Sequence, residues 1–125
     1  GKYTAGEVRK MLAGHGGLVA YTGSNDMRDL LKAAAEGDKE IAATVDAFHY
    51  QIGKEVGAMA AVMKGKVDQI ILTGGIAYGQ ETVDAITDMV GWIAPITVYP
   101  GEDELLALAQ GALRVLNGEE PARVY

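Results

Sequence analysis

The sequence predicts an α/β chain: an incomplete parallel sheet with flanking helices. Three observations carry that expectation. Helical and β-branched stretches alternate through the second half, the order that builds parallel sheets. The clearest β-branched run ends in two adjacent glycines, Gly74 and Gly75. Only two strands can be found, whereas an ordinary sheet has about five or six.

The elements follow in chain order. Thr4 and Glu7 have the spacing of a capping box, so a short helix opens there and runs to about Leu12. Gly14, Gly16 and Gly17 end it. Leu18 to Tyr21 is a short apolar piece, and Thr22-Gly23-Ser24-Asn25-Asp26 is a loop of turn and cap residues. Asp26 or Ser24 caps a helix to about Glu36, stopped at Gly37. Asp38 caps a long helix from Lys39 to about Lys64. Ile41, Val45, Phe48, Ile52, Val56, Met59 and Met63 form one apolar stripe along it. Phe48, Met59 and Met63 are therefore expected in the core, and His49 as a packing or interface residue. Val67 to Thr73 reads as a strand buried on both faces. A helix covers about Glu81 to Trp92, with Trp92 expected in the core. Ile96 to Tyr99 is the second strand, and Pro100-Gly101 turn the chain. Glu102, Asp103 and Glu104 open the last helix, Leu105 to about Leu116, where acids suit the positive end of the helix dipole.

Composition bounds the function. The chain has 125 residues, 49% hydrophobic and 22% charged, which suits one globular domain and excludes a disordered one. A net charge of -6 argues against a nucleic acid partner, which needs a basic face. Without cysteine there is no disulfide, thiolate or Cys-based zinc chemistry. No stretch is long and apolar enough for a membrane span, and no signal peptide is visible. The first residue is Gly1, not methionine, and the sheet is short of strands. Both lead us to expect a piece of a longer protein.

Three motifs could carry chemistry. In Leu72-Thr73-Gly74-Gly75-Ile76-Ala77-Tyr78-Gly79 the glycines sit at the carboxyl end of a strand, where ligands of α/β sheets bind. They allow close backbone approach, and the next helix offers free N–H groups to an anion. A tight turn without a ligand explains the same residues. In Gly23-Ser24-Asn25-Asp26-Met27-Arg28-Asp29, a carboxylate could accept ribose hydroxyls and a guanidinium could stack on a purine. Taken alone, a helix cap and a solvated ion pair explain that motif more simply. Glu102-Asp103-Glu104 could hold a magnesium-bound water, or be three exposed acids at a helix start. His15 and His49 have no metal-ligand spacing.

Taken together, GLVAYTGSNDMRDLLKAAAEGD, DAFHYQIGKEVGAMAAVMKGKVD, QIILTGGIAYG and IAPITVYPGEDELLALAQGALRVLNGEE strongly resemble the C-terminal part of the acetate and butyrate kinase (acetokinase) family. VYPGEDE and TGGIAYG look like its butyrate-using branch. The likeness covers nearly the whole chain and keeps the family's order. It implies the C-terminal portion of a ribonuclease-H-like, actin-like ATPase domain. Residues 1–125 would be the adenosine-binding part of the second kinase domain, with the first domain and the start of the second absent. The implied reaction is reversible, ATP-dependent phosphorylation of a short-chain carboxylic acid with Mg²⁺, such as butyrate to butyryl phosphate. Isobutyrate or another branched acid, acetate, or nucleotide binding without catalysis are the alternatives. By resemblance, Asp26, Met27 and Arg28 serve ribose and adenine, and Gly74, Gly75, Ile76, Ala77 and Tyr78 the nucleotide. The family's magnesium-associated acid falls on Asp103, with Glu102 or Glu104 adjacent. No catalytic residue matches within this chain, and the carboxylate would be bound mainly by the absent part. Family members are cytoplasmic and homo-oligomeric, dimers or larger, so the same is expected here, with no membrane partner.

Overall fold

Thr4 starts the first helix as its sequence spacing requires. The computed structural model describes residues 2–122; Gly1, which entered the boundary argument, and residues 123–125 lie outside them. The Thr4 hydroxyl accepts from the Glu7 N–H at 3.3 Å, and the Thr4 N–H donates to Glu7 Oε2 at 2.7 Å, closing the capping box of α1 (Ala5–Lys10). A wider helical turn over Met11–His15 follows and breaks at Ala13 and Gly14, which leave helical geometry. The apolar piece after it is itself helical, α2 (Leu18–Thr22). Five residues show no periodicity; packing of Leu18 on the core, the Thr22 hydroxyl donating to the Leu18 carbonyl and the left-handed cap at Gly23 hold that form.

Two caps set the central helices. Asp26 accepts from the Arg28 N–H at 3.0 Å and starts α3 (Met27–Ala35). Asp38 accepts from Glu40 and Ile41 and starts α4 (Lys39–Val62). The first half of α4 packs on α3 around buried Met27, Leu30 and Val45, with Leu18, Leu31, Ile41 and Phe48 at the margin. Its second half contributes Ile52 and Val56 to another cluster, centred on Ile70, Ile86, Val90 and Ala94. One helix thus joins two cores.

The second core lies against the sheet. β1 (Ile70–Gly74) pairs in parallel with β2 (Ile96–Pro100), in register from Ile70 opposite Ile96 to Gly74 opposite Pro100. A 3-10 turn over Gly75–Tyr78 and then α5 (Gln80–Val90) connect them. Thr82, Val83, Ile86 and Val90 form the buried face of α5, at helical spacing. α6 (Glu104–Leu116) ends the described chain and has no buried residue.

Several expectations fail, most of them for one physical reason. β1 starts at Ile70 rather than Val67 and is not buried on both faces, because Ile71 is 59% exposed. Trp92 is exposed, with its indole N–H donating to the Met89 carbonyl at 2.9 Å. Met59 and Met63 continue the stripe of α4 geometrically but stay exposed. For Ile71, Trp92, Met59 and Met63 the side chain has the apolar character of a core residue, and the described residues leave about half or more of it uncovered. Phe48 meets its expectation in part, half-buried at the margin of the first core.

Candidate nucleotide cleft

Two loops distant in sequence meet in one cleft. Asn25, Asp26, Met27, Arg28 and Leu31 form one wall, and Gly75, Ile76, Tyr78 and Gly79 the other, around a volume of about 650 Å³. The first wall is the start of α3, anchored by buried Met27 and Leu30. The second is the turn between β1 and α5 at the carboxyl end of the strand. The cleft thus lies where open α/β sheets place ligands.

Asp26 and Arg28 bind each other. Arg28 Nε donates to Asp26 Oδ1 at 3.0 Å and Nη2 to Oδ2 at 2.6 Å, a two-point pair. These hydrogen bonds, with the Arg28 backbone N–H as the next cause, hold the Asp26 carboxyl at about 2, below the usual carboxylate range. The cap and the ion pair foreseen as the simple explanation are both present. They do not exhaust the site. A carboxylate has about four lone-pair positions; Arg28 fills about three of them through its backbone N–H, Nε and Nη2, so Asp26 keeps about one, on Oδ2. The pair also fixes a flat guanidinium at the cleft mouth.

The second wall is built by glycine. Gly74 has φ 85°, in the left-handed region, and exchanges backbone hydrogen bonds with Gly101 at 2.9 and 3.2 Å. Gly101 has φ 92°, and a Cβ there would stand 2.5 Å from the Tyr78 hydroxyl. Tyr78 therefore lies over bare backbone, and its position depends on that absence. The same bridge brings the acidic run to the strand end. A Cβ on Gly74 would stand 3.8 Å from Glu102 Oε1.

Behind the cleft lies a buried polar pair. His49 Nε2 is 3.0 Å from Thr82 Oγ1, and the two residues are 6% and 1% exposed. Burial pushes the His49 imidazole below its ordinary value, while Asp46 pulls it back less strongly.

A model described as the Acetokinase family matches residues 2–114. The chain belongs to the acetokinase family. It is 54% identical over its full length to a probable butyrate kinase 2 of Caldanaerobacter subterraneus subsp. tengcongensis, covering 35% of that protein. It is 55% identical, again over its full length, to butyrate kinase 2 of Clostridium acetobutylicum, covering 35% of it. The chain therefore spans about a third of the length of the curated relatives it matches. Its fold superposes on a propionate kinase structure from Francisella tularensis subsp. tularensis with TM-score 0.71 at 23% identity, over 84% of this chain and 33% of that one. The α/β fold expected of an acetokinase is thereby shown.

In this acetokinase chain, six of the eight residues expected at a nucleotide meet in the cleft: Asp26, Met27, Arg28, Gly75, Ile76 and Tyr78. Gly74 and Ala77 are adjacent in sequence but not in its lining. Asp103 also lies outside the lining, at the N-cap of α6. Among the described residues no three acids or histidines gather as a metal-holding group. Asn25 and Gly79, members of the two motifs given no role of their own, also line the cleft, and so does Leu31, which lies outside both motifs. Leu31 could have been found, since it lies four residues after Met27 on one helix face. The partnership of His49 with Thr82 had no sequence signal, because it joins residues 33 apart.

Proposed function

We propose that this chain is the adenosine-binding side of a carboxylate kinase that converts butyrate and ATP reversibly into butyryl phosphate and ADP. The observation that carries the proposal is the meeting of Asp26–Arg28 with Gly75–Tyr78 in one cleft at a strand end. Each motif alone has a simple structural explanation. Their convergence offers together a carboxylate oxygen for a ribose hydroxyl, a flat cation for the purine face, and bare backbone for close approach. The near 55% identity to butyrate kinases over the whole chain supports the acid.

In this reading residues 1–125 are the C-terminal part of the second kinase domain. Asp26, Met27 and Arg28 hold adenosine, and Gly74 to Tyr78 hold the nucleotide from the strand side. None of these groups performs chemistry on the transferred phosphoryl group. They position it, and phosphoryl transfer depends heavily on position. Magnesium ordinarily takes one or two carboxylates, with waters and phosphate oxygens completing its shell. A single carboxylate at the strand end fits that need, and Asp103, or the adjacent Glu102 or Glu104, would supply it. The metal would neutralise charge on the phosphates. We place the protein in the cytoplasm as a homo-oligomer. No described helix is long and apolar enough to cross a membrane.

The test is an ATP-dependent acyl-hydroxamate assay on the protein as its gene encodes it, across acetate, propionate, butyrate and isobutyrate. Preference for butyrate is expected. Preference for isobutyrate would move the substrate to branched acids. ATP binding without turnover of any acid would overturn the kinase reading.

A further inference from the structure

His49 and Thr82 are the buried polar side chains among the described residues, and they bond to each other. They lie between the two apolar cores, where a pair of aliphatic side chains would satisfy packing alone. A hydroxyl–imidazole bond adds direction that apolar contact lacks.

That direction matters because of what each residue carries. Thr82 lies in the first turn of α5. Its N–H donates to the Gly79 carbonyl at 3.1 Å, and Thr82 Oγ1 would be 3.8 Å from a Cβ on Gly79. Gly79 lines the cleft, so the tethered hydroxyl sits directly behind that wall. On α4, His49 follows Val45 by four residues and shares its face. Val45 packs with Met27 and Leu30, which anchor the opposite wall. One turn of α4 therefore references both walls of the cleft.

We propose that His49 is a positioning residue for the nucleotide cleft, fixing the Gly75–Gly79 wall relative to the Asp26–Arg28 wall through its bond to Thr82. The proposal rests on the nucleotide reading of the cleft. With its proton affinity lowered by burial, the imidazole is neutral near neutral pH, and a threonine hydroxyl can donate or accept, so either ring tautomer makes the bond.

The test measures ATP KM and kcat separately, with thermal midpoints, on the protein as its gene encodes it. Thr82→Val, which keeps shape and removes the hydroxyl, is expected to raise ATP KM about three- to tenfold, with kcat held within about twofold. Thr82→Ser keeps the hydroxyl and should restore most of the affinity. Adding His49→Gln to Thr82→Val should raise KM no further, because the bond is already gone. If Thr82→Val does not fold, Thr82→Ala and His49→Leu, each of which removes the bond, give the same readout. Asp26→Ala is the control for the cleft itself. A raised KM in Asp26→Ala with an unchanged KM in Thr82→Val would overturn the proposal and reduce the pair to packing, even if the thermal midpoint fell. An unchanged KM in Asp26→Ala as well would overturn the nucleotide reading and the proposal with it.

Discussion

Arg28 is 88% exposed on its side chain, and its pair with Asp26 is open to solvent. An exposed pair of this kind contributes little to stability. Its consequence is orientation: the guanidinium plane is held at the cleft mouth before any ligand arrives. Loss of either partner should therefore appear in binding rather than in chemistry. Asp26→Ala or Arg28→Ala is expected to raise ATP KM by about tenfold or more while changing kcat less, measured by steady-state kinetics. A pure kcat effect would remove both residues from that role. The pH dependence follows from the low carboxyl value. A depressed carboxylate contributes fully above its unfolded value near about 4, and its contribution is lost as pH falls through about 2. ATP KM should then show no titration of Asp26 between about pH 5 and about pH 8.

The helices α4 and α5 approach closely where Gly53 faces Met89. A Cβ on Gly53 would stand 2.5 Å from Met89 Cε and 3.1 Å from Met89 Cβ. The flexible end of methionine can move, but its Cβ cannot move without the helix. Gly53→Leu should therefore destabilise by about 1–3 kcal/mol through overpacking, measured by chemical denaturation. A neutral result would mean that the two helices separate freely. Helix boundaries were legible because their signals are local. Thr4 with Glu7, Asp26 and Asp38 all cap where the sequence places them. The form of Leu18–Thr22 was not legible, because a five-residue apolar piece contains no period and takes its form from the core it touches.

Much apolar surface faces solvent at the end of the described chain. Leu105, Leu108 and Leu116 of α6 are 85%, 70% and 80% exposed, and Ile71 of β1 is open as well. The two strands leave edge positions unpaired, which invites association. The 125-residue chain by itself is expected to sediment as concentration-dependent oligomers or aggregates and to show no acyl-phosphate formation. A monodisperse monomer with kinase turnover would contradict both the partial-domain reading and the expectation that the catalytic groups lie outside this chain.

The amino-acid sequence alone determined the caps, the long central helix, the parallel pair of strands and the glycines at the strand end. It also carried the resemblance to the acetokinase family. These are properties of neighbouring residues, or of a pattern repeated within one helix, and they need no knowledge of what lies across the core. The tertiary structure decided which apolar residues are covered. It left Trp92, Met59 and Met63 exposed although their local pattern matches a core. It also brought the two candidate motifs together. Asp26–Arg28 and Gly75–Tyr78 each have a simple explanation until chain folding places them across one cleft. His49 and Thr82 acquire a joint role in the same way, because a directional bond between α4 and α5 exists only once both helices are packed.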